Sequence, residues 1–352
     1  MDNKILTIIV PAYNMESYLE KCLSSLLVDS SLLQKFEVLV INDGSKDKTS
    51  DIAHKFEANF PKTFRTIDKE NGHYGSCINR GLKEALGTFV KILDADDIFD
   101  TAVFSSFLCF LSRTDIIDQV DAVLSDFSTV DTFGNIHKTE FSEQKEIFNI
   151  KSLSSSDQIK WFTAGLTYKT SLLRQIKYYQ TEGIAYTDQE WVFIPMAYVN
   201  KIARFGASLY LYMVGRDGQS ISDSVHAKNL WMDVVVLENI IDFFSCVKGR
   251  ISEENRAFLS ERIYVLTTHI YELYLIAYKY LTEDDRIKQL DLKLNTSNSA
   301  LYTRLDGHMT TIGGIPFHFI RNWRKKRFFM LKMQSVVYTV ANIFNKLKRR
   351  AK

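Results

Sequence analysis

A short apolar run that ends in three carboxylates does most to limit what this chain can become. Thr88-Phe89-Val90-Lys91-Ile92-Leu93 is β-branched and aromatic, with Gly87 before it and Asp94-Ala95-Asp96-Asp97 after it. Such a run predicts a buried strand whose carboxyl end opens at a crevice. Three acids in four residues repel one another, so a folded protein keeps them together only beside a cation or strong donors. Hard carboxylate oxygens of this kind suit Mg²⁺ or Mn²⁺ bridging to a diphosphate. The plainer reading is a solvated acidic turn ahead of a helix that starts near Asp100.

Three runs upstream repeat the arrangement. Ile5–Val10 breaks at Pro11-Ala12-Tyr13-Asn14, Phe36–Ile41 at Asn42-Asp43-Gly44-Ser45, and Phe64–Ile67 at Glu70-Asn71-Gly72. Amphipathic segments lie between them, the first with Leu19, Cys22, Leu23 and Leu26 at helical spacing. Asp47 or Ser45 is placed to cap the second helix, which reads to about Phe60, and a third reads from Tyr74 to Leu86. This β-α alternation with short connections predicts a parallel, doubly wound α/β sheet that binds its ligand at the carboxyl ends of the strands. The first turn carries no GxGxxG, and the chain carries no GxxxxGK[ST]. A dinucleotide fingerprint and a P-loop are thereby excluded, and phosphate must be met another way.

The four turns VPAYN, INDGS, ENG and LDADD, in that order and spacing, resemble those of the family 2 glycosyltransferases of GT-A fold. The resemblance is closest over residues 5–97 and loosens toward Ser222. It implies a GT-A nucleotide-diphospho-sugar transferase with a doubly wound mixed sheet. It also implies inverting transfer from a nucleotide-sugar, usually a UDP-sugar, with Mn²⁺ or Mg²⁺. By the same resemblance Pro11, Ala12 and Tyr13 lie along the nucleoside and Asp43 accepts from the base imide. Asn71 and Gly72 close over the nucleotide, Asp94 lies on the ribose side with Ala95 beside it, and Asp96 is the metal ligand. Asp97 is expected to orient the turn or to assist the cation from behind its ligand. Ile78 departs from the pattern, because it stands where the family commonly has an arginine near the diphosphate. Arg80, His73 and Arg216 are the candidates to replace that charge.

The second half supplies the acceptor side. Tyr186-Thr187-Asp188-Gln189-Glu190-Trp191 resembles the family's Glu-Asp pair at a helix start, with Thr187 in the glutamate's place. Asp188 is the expected general base, taking the proton of the acceptor hydroxyl; Glu190 is its rival, and an N-cap by Asp188 is the structural alternative. Arg216, in the loop Gly215–Ser222, would reach the diphosphate when that loop closes. A catalytically inactive nucleotide-sugar-binding or partner-binding relative is the alternative function.

Charge separates the last part of the chain from the rest. Of 44 Lys and Arg, eleven lie from Gly307 onward, a stretch without Asp or Glu, so the residues before it are net −9. We expect a transferase domain over 1–222, a helical extension over 223–306 and a basic amphipathic tail over 307–352. In the tail, Met333, Val336, Val337, Val340, Ala341, Phe344 and Leu347 fall on one helical face, with Gln334, Thr339, Asn342 and Asn345 opposite. Basic flanks around such a stripe suit a helix lying on an anionic membrane surface. No run of about 18 uninterrupted apolar residues occurs and no signal peptide is read, so the expected place is the cytoplasm or the inner face of the membrane. The expected acceptor is a lipid-linked or cell-surface glycan precursor, and no nucleic-acid partner is expected. Four scattered cysteines without a CxxC pair read as reduced core thiols.

Overall fold

The computed structural model describes residues 4–154, 157, 160–215, 223–278, 285–312 and 315–350. Arg216, the expected diphosphate cation, lies outside them.

The chain opens as β1 (Leu6–Ala12), α1 (Leu19–Ser24), α2 (Ser30–Leu33), β2 (Phe36–Asn42), α3 (Thr49–Asn59), β3 (Phe64–Asp68), α4 (His73–Glu84) and β4 (Phe89–Ile92). Next come β5 (Ile98–Phe99), α5 (Thr101–Leu111), α6 (Thr114–Gln119), β6 (Ala122–Val130), β7 (Ile136–Thr139), β8 (Ile147–Asn149) and β9 (Leu166–Lys169). Then α7 (Thr170–Gln175) and α8 (Asp188–Phe193) lead into the long β10 (Lys201–Met213).

The sheet runs β3-β2-β1-β4-β9-β6-β10-β5, with β7 on β6 and β8 on β10. Strands β3, β2, β1 and β4 are parallel, and the apolar runs of β2, β1 and β4 are buried on both faces, as strands covered on both sides require, while the edge strand β3 buries only Phe64. β9 then enters antiparallel to both β4 and β6, which makes the sheet mixed. The acidic turn after β4 does not cap α5. That cap is Asp100, whose Oδ1 accepts from the N–H groups of Ala102 and Val103. The N-cap position of α3 is Lys48, but Asp47 Oδ1 accepts from the N–H of Thr49, the first residue of that helix, at 3.0 Å. Cys22 and Cys77 are core thiols as expected, but Cys109 and Cys246 are exposed.

Contacts divide the chain into two compact units. The first is Met1–Ser222 with Phe243–Leu259, and it contains the large sheet. Its later segment is tied in by Asn255, whose amide donates to the carbonyls of Met196 and Val199.

The second unit is Asp223–Asp242 with Ser260–Lys352. Its helices include α9 (Asp223–Val247) and α10 (Glu253–Glu272), both shared with the first unit, and then α11 (Asp285–Ser297) and α12 (Ser299–Asp306). A π-helical turn, Leu273–Ala277, follows α10. The hairpin β11 (Thr310–Ile312) and β12 (Ile315–Phe317) leads to α13 (Phe319–Arg324) and α14 (Phe328–Arg350).

Helix α14 buries Leu331, Gln334 and Ser335, and Ser335 Oγ donates to Ile276 O at 2.8 Å. This corrects the expected amphipathic arrangement, since Gln334 belongs to the docked edge and not to a solvated polar face. Phe329, Met333, Val336 and Val340, at spacings of four, three and four, are instead exposed, Phe329 by 74%. Two of the tail's cations are also spoken for: Arg321 pairs with Asp306, and Arg324 with Asp291.

Candidate active site

The turns after β1 and β2 are stitched into one rim. Asp43 N–H donates to Ala12 O at 2.9 Å, Lys46 N–H to Asn14 Oδ1 at 2.8 Å, and Asn14 N–H to Ser45 Oγ at 3.0 Å. Pro11 and Ala12 are largely covered, while Tyr13 is exposed at the end of β1. Asp43 is buried, and its Oδ1 accepts from Lys69 Nζ at 2.5 Å and from Gly72 N–H at 2.9 Å. Asn71 Nδ2 donates to Asp43 O at 3.0 Å, so Asn71 and Gly72 fold back onto Asp43 as a flap. Gly44 permits the closeness: its φ is 73°, and a Cβ there would lie 3.1 Å from Asn71 N.

Sequence reasoning missed Lys69. A buried carboxylate needs a partner, and Lys69 is the cation that supplies it, fixed further by Ser76 Oγ and Glu70 O. The need for a counter-charge was the available signal, but the pair spans 26 positions.

The acidic turn is built from β4, α4 and β10 together. Asp97 is buried, and both its oxygens are engaged, Oδ2 by Tyr210 OH at 2.6 Å and Oδ1 by Met213 N–H at 2.7 Å. These two bonds tie the turn to β10. Tyr210 OH also accepts from Asp94 N–H at 3.2 Å, and Asp94 Oδ1 accepts from Tyr74 OH at 2.9 Å. Ala95 is buried between them, and Asp96 is half-buried. Burial, followed by the like charges of Asp96 and Asp188, pushes the Asp94 carboxyl above its ordinary range. Burial, then Asp94 and Asp96, does the same to Asp97.

Beneath the turn lies Lys91, fully buried, its Nζ donating to Ala164 O at 2.7 Å and Leu166 O at 3.3 Å. The ammonium stands 5.9 Å from the centre of the Tyr210 ring, and burial draws its pKa down to about 7. It therefore braces the turn through Tyr210 and the chain around Ala164 without neutralising the acids by direct pairing.

The segment after α7 brings the second acid. Gly75 lets Thr181 pack directly on α4, because a Cβ there would meet Thr181 O at 1.9 Å. Asn79 clamps the same segment: its Nδ2 donates to Gln180 O at 2.8 Å and its Oδ1 accepts from Gln180 N–H at 2.9 Å. Thr187 is buried, with its carbonyl and hydroxyl oxygens bound by Gln180 Nε2. Asp188 is then the first residue of α8, half-buried and close enough to Asp94 and Tyr74 to raise the pKa of each, after burial. No side chain caps α8, so Asp188 is not an N-cap. Glu190 points elsewhere, its two oxygens accepting from Thr181 N–H at 2.7 Å and Thr181 Oγ1 at 2.6 Å.

The replacement cations separate. Ile78 is buried in the core, His73 is exposed with a φ of 65°, and Arg80 pairs with Glu84 one turn along α4. Among the described residues, no group of three or more His, Cys, Asp or Glu is placed to hold a metal unaided. A cation at Asp96 fits the donor chemistry nonetheless. Mg²⁺ and Mn²⁺ sites in phosphate-handling enzymes use one or two carboxylates and complete their octahedron with substrate phosphate and water.

Comparison with known proteins agrees with this architecture. Residues 7–175 match the family described as glycosyl transferase family 2. An uncharacterized glycosyltransferase of Mycoplasma genitalium, MG060, is 25% identical over 248 residues, which cover 67% of this chain and 78% of that one. The poly(ribitol-phosphate) beta-N-acetylglucosaminyltransferase TarS of Staphylococcus aureus is 27% identical over 220 residues, 62% of this chain but only 37% of TarS. In structure, TarS 1-349 superposes with a TM-score of 0.61 at 18% identity over 89% of this chain and 95% of that one. The same TarS fragment is also known in complex with UDP-GlcNAc. A mannosyltransferase of Pyrobaculum calidifontis, solved with GDP-Man and Mn²⁺, superposes at 0.51 with 14% identity over 97% of this chain and 87% of that one. Residues 7–175 thus match glycosyl transferase family 2, and the chain is a transferase of GT-A fold with a helical C-terminal region.

Proposed function

We propose that this chain moves a sugar from a UDP-sugar to an acceptor hydroxyl with inversion at the anomeric carbon. The observation that carries the reading is the convergence of Asp94 and Asp188 from separate elements beside Asp96, next to the Asp43 rim. Tyr13, Asp43, Asn71 and Gly72 would hold the nucleoside, with Pro11 and Ala12 as its wall. Asp94, fixed by Tyr74 and by Tyr210 through its N–H, would take the ribose side beside Ala95. Asp96 would hold the divalent cation, Mn²⁺ or Mg²⁺, which supplies charge stabilisation to the departing diphosphate. Asp188 would accept the proton of the attacking hydroxyl on the opposite side of the sugar. Arg216 would add a second positive charge at the diphosphate.

The TarS complex with UDP-GlcNAc and the mannosyltransferase complex with Mn²⁺ support a nucleotide-sugar and cation reading of this fold. A panel of UDP- and GDP-sugars, assayed for nucleotide release with and without Mn²⁺, tests it. Mn²⁺-dependent release from a UDP-sugar is expected. Binding without turnover across the panel would favour an inactive relative.

We place the acceptor among lipid-linked or cell-surface glycan precursors, and the enzyme on the inner face of the membrane. Among the described residues no helix is long and apolar enough to span a membrane. The exposed stripe Phe329, Met333, Val336 and Val340 lies on α14 with Lys325, Lys326, Arg327 and Lys332 exposed near its start. Each cation near an anionic leaflet contributes about 1 kcal/mol. Full-length protein is therefore expected to sediment with anionic vesicles at low salt and to be partly released at high salt. The pair Val336→Glu and Val340→Glu should stay in solution while still releasing nucleotide from the donor. Sedimentation unaffected by that pair would remove α14 from the membrane.

A further inference from the structure

Beside the nucleoside rim, on the outer side of α4, the first unit carries a groove of about 670 Å³ between α4, α7 and residues 177–182. That volume lies in the range of sites that hold ligands of drug size. Five cations line it: Lys69, Arg80, Lys83, Arg174 and Lys177. Glu70 and Glu182 are its acids, so the lining is net positive in a first unit whose sheet ends in carboxylates. Three of the cations have partners within the fold: Lys69 with Asp43, Arg80 with Glu84, and Arg174 with Ala85 O. Lys83 and Lys177 are exposed, and neither ammonium has a partner among the described residues. Two unpaired ammonium groups flanking one concave surface attract an anion whose charges are spaced along a chain.

The groove is joined to the candidate active site at two places. Lys69 and Gly72 line it while their other bonds hold Asp43. Tyr178, Tyr179 and Glu182 line it from the segment that runs on to Asp188, and the Tyr179 ring is exposed. An occupant would thus extend from the neighbourhood of the base along α4. Cations for phosphate and an exposed aromatic ring for polyol or sugar carbon match a chain of alternating phosphate and polyol.

We propose that this groove is an acceptor subsite for a phosphodiester-linked polyol or sugar chain. The proposal rests on the transferase reading and adds to it the acceptor's chemical class. Lys83 and Lys177 would engage the phosphates, acting by charge and not by shape, as ammonium groups do.

The test uses the full chain and two labelled probes of equal length, a synthetic glycerol-phosphate oligomer and a neutral oligosaccharide. Fluorescence polarisation is read at low and high salt for the parent and for the double variant Lys83→Glu/Lys177→Glu. The parent should bind the phosphodiester probe better than the neutral one, and salt should weaken it. The double variant should lose on the order of tenfold in that affinity while UDP affinity in Mn²⁺ stays as in the parent. The milder pair Lys83→Gln/Lys177→Gln, with a thermal melt, covers the case of misfolding and should show a smaller loss in the same direction. Equal binding of both probes by the parent, or an undiminished phosphodiester affinity in both variants, overturns the subsite. UDP affinity lost in step with probe affinity also overturns it, because the lysines would then belong to the donor site. A parent that binds the phosphodiester probe but no UDP keeps the groove and removes the transferase reading.

Discussion

Asp188→Asn is expected to leave UDP affinity in Mn²⁺ unchanged and to lower sugar transfer by about 10²- to 10⁴-fold, the range of a lost general base. The expectation rests on how the fold divides the two acids of α8. Glu190 is buried, with both oxygens committed to Thr181, so its carboxylate fixes the segment that crosses α4. Asp188 is half-buried and shares a site with Asp94 and Tyr74. An amide at 188 has the same shape but takes up no proton. Glu190→Gln should behave otherwise. It replaces two bonds to a buried charged acceptor by weaker neutral ones and costs about 1–3 kcal/mol of stability, seen as a lower melting temperature with transfer largely retained. Steady-state transfer and a thermal melt on both variants decide the matter. A well-folded Glu190→Gln without activity, beside an active Asp188→Asn, would make Glu190 the base.

Much of this site is legible in the sequence because it is punctuated locally. The continuous apolar runs of β1, β2 and β4 and the turn residues that end them specify strands, faces and carboxyl ends within a few residues. The spacing and the resemblance single out Asp97 and Asp188, while the bonds of Asp97 to Tyr210 and Met213 and of Glu190 to Thr181 depend on the fold. What escaped the sequence depends on partners far apart in the chain. Tyr210 reaches Asp97 across 113 positions, Asn79 reaches Gln180 across 101, and Lys69 reaches Asp43 across 26. Lys91 hides inside an apolar strand, where no local pattern distinguishes a braced cation from a solvated one. The antiparallel entry of β9 was also unreadable, since its four residues pair with strands specified elsewhere. In α14 the stripe was legible, but the docked edge was not, because Ser335 finds its partner 59 positions back.

The second large effect concerns the acid that would hold the cation. Asp97 has both oxygens engaged, and Asp94 accepts from Tyr74 while its N–H is bound by Tyr210. Asp96 stands half-buried between these fixed neighbours. Like charge from Asp96 raises both of those neighbours after burial does, so a cation would relieve the turn as well as bind the diphosphate. Asp96→Asn removes a charged ligand and keeps the shape. Loss of groups that merely support a ligand costs about 10- to 100-fold in metal affinity, and loss of the ligand should cost no less.

Titration of UDP into the full chain and into Asp96→Asn, first with Mn²⁺ and then with excess chelator, is the most direct measurement of the cation-bridged donor site. Strong Mn²⁺-dependent affinity is expected in the parent, falling to the chelated level in Asp96→Asn whether or not Mn²⁺ is present. Equal affinity of the two proteins in Mn²⁺, with both melting alike, would contradict it.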